Sequence, residues 1–225
     1  MTIEQAYFQI KQKTNTDTGT DQIDLDKGRF VYLFNEYQNK FVEWILDKKN
    51  EDDYRKIQGL LVSDSNLTLV ESEDIFSTYK LPTDHLDLSS IRVFAKYGTC
   101  TSTELTSVFE MKNDNVSELM ADEFNKPSFS ARETFYHLGS NNVKVYKLDF
   151  DIQKVLYTYY RYPRQVDMEG YIKPDTGVAT TQNIDPELED RLVLRILDAI
   201  AKEYDTNNNH LQKVAIDKDR VFSNI

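Results

Sequence analysis

Apolar residues recur at two different periods along the chain, and the change of period divides it into three. Between Leu25 and Lys48, Phe30, Phe34, Tyr37, Phe41 and Ile45 fall at i, i+4, i+7, i+11 and i+15, with Trp44 beside them. That spacing predicts an amphipathic helix. Asp24 or Asp26 is placed to cap it, and Lys48 and Lys49 suit its C-terminal dipole. A second helix is expected at once, with Asn50 as cap, Glu51, Asp52 and Asp53 in its first turn, and Tyr54, Ile57 and Leu61 facing inward. So short a link predicts a helical hairpin. Residues 1–13 also read as a short amphipathic helix through Ile3, Tyr7 and Ile10, followed by the turn-rich link TNTDTGTDQ.

From Leu67 to Tyr162 the period shortens to two. LTLV, IRVFAKY, SVFEM, ETFYHL, VKVYKL and VLYTYYRY alternate as half-buried strands do. ETFYHL-GSNN-VKVYKL predicts a hairpin with Gly139, Asn141 and Asn142 in the turn. NDNVSELMADEF interrupts the series as a short helix.

Residues 163–185 read as a long polar loop, of a length that is usually functional or disordered. The helical period then returns over 186–204. Asp185 is the expected N-cap, Pro186 the first helical position, and Leu188, Leu192, Ile196 and Ile200 the stripe, with Val193 and Leu197 beside it. The expected fold class is α+β: a helical bundle formed by the N- and C-terminal helices, a β-rich insertion, and extended terminal arms. Its bounds would be an arm over 1–22, one domain over 23–205 and a tail over 206–225. Within that domain fall helices over 25–62 and 186–204, the β insertion over 67–162 and the loop over 163–185.

Charge and composition narrow the function. The 225 residues carry a formal net charge of -11, where a phosphate-gripping protein normally carries a basic patch. Tyrosine dominates the aromatics, 14 against a single Trp, and suits half-buried surfaces and interfaces. One cysteine, Cys100, leaves no intramolecular disulfide and no thiolate zinc cluster. No apolar run approaches a membrane span, and MTIEQAYFQIKQK lacks the apolar core of a signal peptide.

The candidate chemistry is thin. Asp-Thr-Gly occurs at Asp17 and at Asp175, the triplet of aspartic proteases, in which paired carboxylates share a proton and activate water. Both triplets sit in polar flanks, where two ordinary turns are the plainer reading. Asp21, Asp24, Asp26 and Gly28 miss the register of a calcium loop and fit helix capping better. His85, His137 and His210 accompany no nucleophile motif. The tyrosine strand VLYTYYRYP admits three readings: core strand, protein interface or base-stacking platform. Arg161 and Arg164 alone would supply the cationic groove that a platform needs. The interface candidates are Tyr157, Tyr159, Tyr160, Arg161, Tyr162, Pro163, Arg164 and Tyr171, and no catalytic, cofactor or metal residue is assigned.

The order of segments resembles the head-to-tail adaptor, or ring, proteins of short-tailed bacteriophages, the crAss-like phages in particular. The likeness runs from RFVYLFNEYQNKFVEWILDKKNEDDYRKIQGLLV through the strand entry YKLPTDHLDLSSIRVFAKYG to FNKPSFSARETFYHLGSNNVKVY. It continues in VLYTYYRYP, which carries the Tyr-x-Arg-x-Pro strand ending, and in DPELEDRLVLRILDAIAKEY. It covers roughly 25–205, and His85 departs from it where a bulky aromatic is common. The resemblance implies a virion structural protein of the neck or tail, assembled in the host cytoplasm and not an enzyme. It implies a homo-oligomeric ring of about twelve copies below the portal, extending the DNA channel toward further ring or tail proteins. DNA would pass without specific binding past an acidic lumen, and no cofactor or membrane is involved. The alternatives are an aspartyl-protease-like enzyme using Asp17 and Asp175, or a tail-tube or ring component elsewhere in the neck.

Overall fold

The computed structural model describes residues 1–16, 25–48, 54–111, 116–173 and 176–203. The chain divides into two units, Met1–Gly59 with Pro163–Ile225, and Leu60–Tyr162.

The second unit holds nine strands: β1 (Leu61–Asn66), β2 (Thr68–Ser72), β3 (Phe76–Lys80), β4 (His85–Lys96), β5 (Thr103–Glu104), β6 (Ser107–Glu110), β7 (Glu133–Leu138), β8 (Asn142–Tyr146) and β9 (Asp151–Arg161). One sheet has the order β1-β9-β4-β5 and the other β2-β3-β8-β7-β6. All pairs are antiparallel except β6 with β7. The longest pair, β4 with β9, runs from His85↔Arg161 to Lys96↔Asp151 and carries three register shifts. Such bulges bend a strand and raise its twist.

Strict alternation sends side chains to opposite faces. Val155, Tyr157 and Tyr159 of β9, Val93 and Ala95 of β4, and Tyr136, Val143 and Val145 of the other sheet share one core. Phe135 and Tyr146 point the other way and join Met111 in a second cluster, covered by the short helix α3 (Val116–Ala121) through Val116, Leu119 and Met120. The hairpin expected over 133–148 is present, with Leu138 opposite Val143 and Gly139 N–H donating to Asn142 O at 2.8 Å.

The first unit holds α1 (Ile3–Thr16), α2 (Lys27–Lys48) and α4 (residues 190–203). Asp26 caps α2, its Oδ1 accepting the Arg29 N–H at 2.9 Å. Asp198 pairs with Lys13, and Asp190 with the Met1 amino group. Residues 163–173 and 176–189 belong to this unit and hold no helix. Asn35 Nδ2 donates to Val166 O at 3.1 Å, and Gln38 Nε2 to Arg164 O at 3.2 Å.

The expected helical bundle formed by the N- and C-terminal helices is therefore incorrect, and the expected tail over 206–225 lies outside the described residues. Among the described residues, nine strands in two sheets dominate, helices are few, and α+β holds only loosely. Part of the flank that a bundle would give to another helix is taken on α2 by non-helical chain. The expected N-terminal arm contributes a helix whose Ile3, Ala6 and Ile10 are fully buried. Of the second helix of the hairpin, Asn50, Glu51, Asp52 and Asp53 lie outside the described residues and Tyr54 is helical. Residues 55–60 form only a 3-10 turn, and Leu61, assigned to that helix, begins β1 and pairs with Tyr160. β1, β3 and β5 went unread because Ser and Asp in LVSDSN and Ser and Thr in FSTYK hide the alternation. Asp185 and Pro186 do not start the last helix, which begins at residue 190. Asp185 Oδ1 instead accepts the Ile3 N–H at 2.8 Å and so caps α1.

Candidate functional site

The tyrosine strand is an inner strand of its sheet, between β1 and β4. Its upper end meets the chain entering β4. Asp84 and His85 lead into β4, and Tyr162 N–H donates to Asp84 O at 2.9 Å. Tyr157 and Tyr159, two apart, project from the same face of β9. The Tyr159 hydroxyl donates to Asp84 Oδ1 at 2.9 Å, and the Tyr157 hydroxyl lies 2.7 Å from His85 Nε2. The His85 ring stands 5.5 Å from that of Tyr157 and 5.8 Å from that of Tyr159. These contacts clasp LPTDH to YTYYRYP across 72 and 75 residues of sequence.

Burial first sets the protonation states of the clasp. It lowers the His85 pKa, against the opposing pull of Asp87 and Asp84. It raises Tyr157, and it raises Tyr159 to about 12, with the Asp84 hydrogen bond adding to the shift. A phenol donating to a neutral imidazole nitrogen fits both shifts. Asp84 serves Tyr159 and not His85, so the pairs form two parallel clamps. A base oriented by a carboxylate, as hydrolytic triads need, would require Asp84 on the imidazole.

The remaining interface candidates separate by exposure. Tyr157 is fully buried, Tyr159 and Tyr160 nearly so, and Pro163 is buried. Arg161 is half-buried, with Nη1 donating to Tyr162 O at 3.3 Å. Tyr162 is 40% exposed. Arg164 is exposed and lies against Glu187, whose Oε2 accepts the Arg164 backbone N–H at 3.1 Å. Tyr171 is half-buried, its ring so close to the first turn of α2 that a Cβ on Gly28 would meet it at 2.5 Å. Three of the tyrosines are thus interior; Tyr162 and Arg164 are exposed, and Arg161 and Tyr171 are half-buried.

A second organised feature follows in the stretch expected to be an open loop. Asp167 pairs with Ile184 and Ile172 with Ala179, both antiparallel, so that 167–173 and 176–184 run side by side. The buried Asp167 carboxylate links the two segments. Asp167 Oδ1 accepts from Met168 N–H at 2.9 Å and Thr180 Oγ1 at 3.0 Å, and Oδ2 meets Lys173 Nζ at 2.8 Å. Ile172 and Val178, one on each segment, are 61% and 62% exposed. The signal missed in the sequence is Asp167 itself, an acid set between Val166 and Met168 where the surroundings are polar.

Asp17, Asp175, Asp21, Asp24 and His210 lie outside the described residues. His137 Nδ1 lies 3.3 Å from Met111 O. Among the described residues no group of His, Cys, Asp and Glu could hold a metal ion, and no helix is long and apolar enough to cross a membrane. No protein-family model matches the chain, and no curated protein matches it.

Proposed function

We propose that the chain is a structural protein of a bacteriophage neck, a head-to-tail adaptor that assembles as a ring below the portal and extends the DNA channel. The observation that carries this reading is the clasp. The two segments on which the resemblance chiefly rests, Leu81-Pro82-x-Asp84 and Tyr159-x-Arg161-x-Pro163, lie 75 residues apart and meet through Tyr159 and Asp84. Both segments stand at the same end of the antiparallel β4–β9 pair, which brings them into contact. The paired segments 167–173 and 176–184 add support, since they carry the exposed Ile172 and Val178 and are joined through Asp167. Exposed apolar side chains on anchored segments suit contacts with a neighbouring chain. The net charge of -11 suits a channel past which DNA must slide.

Electron microscopy and mass photometry of the recombinant chain, alone and with a portal protein, test the proposal. Closed rings with a central opening are the expected result. A species that stays monomeric at every concentration, and that proteomics does not find in purified virions, would sink it.

A further inference from the structure

Phe124 is the most exposed large apolar side chain among the described residues, at 88%. Its turn is built to hold it there. Asp122 Oδ1 accepts the Phe124 N–H at 2.9 Å, Oδ2 accepts Asn125 Nδ2 at 2.5 Å, and Asp122 O accepts the Lys126 N–H at 3.0 Å. The preceding α3 is fixed by Val116, Leu119 and Met120 against the Met111–Phe135–Tyr146 cluster. The ring is therefore presented on a rigid turn beside two carboxylates, Asp122 and Glu123, with Lys126 two residues beyond. Singly exposed apolar side chains are common on protein surfaces, and what sets Phe124 apart is the hydrogen-bonded turn that presents it.

The first unit offers a surface of matching chemistry. Tyr37, Lys40, Phe41, Trp44 and Arg195 line a concave pocket of about 360 Å³ on α2 and α4. Phe41 and Trp44 meet edge to face at 6.2 Å. Lys48 Nζ lies 5.8 Å from the Trp44 ring and Lys40 Nζ 5.4 Å from that of Tyr37. The two acids beside the pocket are engaged, Glu36 by Lys40 and Glu203 by the Tyr37 hydroxyl. The lining thus combines an aromatic floor with Arg195 and with Lys40, which Glu36 already pairs, and itself holds no carboxylate.

We propose that Phe124 of one copy seats in the Tyr37–Phe41–Trp44 pocket of the next copy, with Glu123 facing Arg195. This rests on the ring reading above and names one contact that would build it. The fit is aromatic on aromatic, with the carboxylate of Glu123 on the projecting turn meeting the Arg195 guanidinium on the rim. Projection and pocket are different surfaces, so the contact is heterologous. Each bound copy leaves one of each free, so the contact repeats from copy to copy and makes a ring where its rotation closes.

The pocket carries its own probe, since Trp44 is the chain's single tryptophan and is 45% exposed. Self-association of the full chain is followed by sedimentation velocity and by Trp44 emission, with circular dichroism to establish that each variant folds. Wild type should associate with a blue shift of Trp44. Phe124→Ala should weaken association by roughly thirty-fold, as loss of a hot-spot aromatic does. Glu123→Lys and Arg195→Glu should each weaken it, and the two together should recover most of the loss, which a folding defect would not do. If Phe124→Ala forms rings as readily as wild type and Trp44 emission does not move on assembly, the contact is wrong and the ring reading stands. If Phe124→Ala loses only binding to a portal protein, the assigned occupant is wrong. Wild type that never associates, alone or with a portal, removes the ring reading and this contact with it.

Discussion

Tyr157 separates the two meanings of a tyrosine strand, core and surface. Its side chain is fully buried among Val93, Val155 and Tyr159, and its hydroxyl meets His85 Nε2 at 2.7 Å. Tyr157→Phe keeps the ring and removes only the hydrogen bond. His85 is half-buried and can recruit water, so the loss should sit at the ordinary net value, about 1 kcal/mol. Tyr157→Ala removes the ring as well. Burial of an aromatic side chain withdraws about 150–250 Å² from water, or roughly 4–6 kcal/mol at 25 cal/mol/Å². Measured aromatic-to-alanine changes fall at about 3–5 kcal/mol, and partial collapse of the site brings the expectation into that range. The assay is urea denaturation of monomeric protein, read by circular dichroism and by hydrogen exchange of the β9 amides. The expected order is wild type, then Phe, then Ala, with the second step at least twice the first. A Tyr157→Ala monomer within 1 kcal/mol of wild type would show that the ring is not core, and the assignment of β9 as an interior strand would fail.

Three further outcomes follow from the same geometry. The His85 pKa is lowered from 6.5, so the unfolded state takes up its proton first. The stability this contributes is present above 6.5 and is lost as pH falls from 6.5 through the folded pKa. His85→Gln should therefore flatten the fall in stability measured by denaturation below pH 6.5. Asp167→Asn breaks the pair with Lys173 while keeping the residue's size. Because Lys173 is 45% exposed and rehydrates, the cost should be about 1–2 kcal/mol, read as faster hydrogen exchange at Thr180 and Ile184. Gly28→Ala places a methyl 2.5 Å from the Tyr171 ring and should displace that half-exposed ring, seen as increased accessibility of Tyr171 to iodination or nitration.

What could be read in the sequence was governed by how cleanly each segment kept one period. The ETFYHL strand is recovered end for end, because Phe135 and Tyr136 face opposite clusters and turn residues bound it. The stripe Leu192, Ile196 and Ile200 marks α4 correctly, while the cap assigned to it does not. Capping motifs are local, yet an aspartate accepts from any amide that arrives, and Asp185 is taken by Ile3 from 182 residues away. Leu61, the first residue of β1, reads as helix because it follows Ile57 at helical spacing, and only pairing with Tyr160 decides otherwise. Of the interface candidates, their position on one strand was legible and their burial was not. Tyr160 and Tyr162 look alike in sequence, but one is 9% and the other 40% exposed. Depth depends on what covers the opposite face of the sheet, and a single strand carries no record of that.

The acidic excess gains a second meaning once the aspartates are followed to their partners. Asp84 fixes the turn that precedes β4 and holds the exposed Tyr162 through its backbone N–H. Asp122 fixes the turn that projects Phe124, and Asp167 joins the paired segments that carry Ile172 and Val178. In each place a carboxylate or carbonyl of aspartate collects hydrogen bonds at the base while an apolar side chain stands out from it. Association costs about 0.5–1.5 kcal/mol for each side chain or loop that must be ordered on binding. Turns locked beforehand avoid that cost, so exposed rings on locked turns bind more tightly than the same rings on free ones. On the proposed ring assembly, disabling the base should weaken association even where the apolar residue is untouched. Asp122→Ala, which leaves Phe124 in place but frees its turn, is the variant in which that consequence is sharpest. It should reduce self-association less than Phe124→Ala and more than substitution of an exposed aspartate with no such hydrogen bonds.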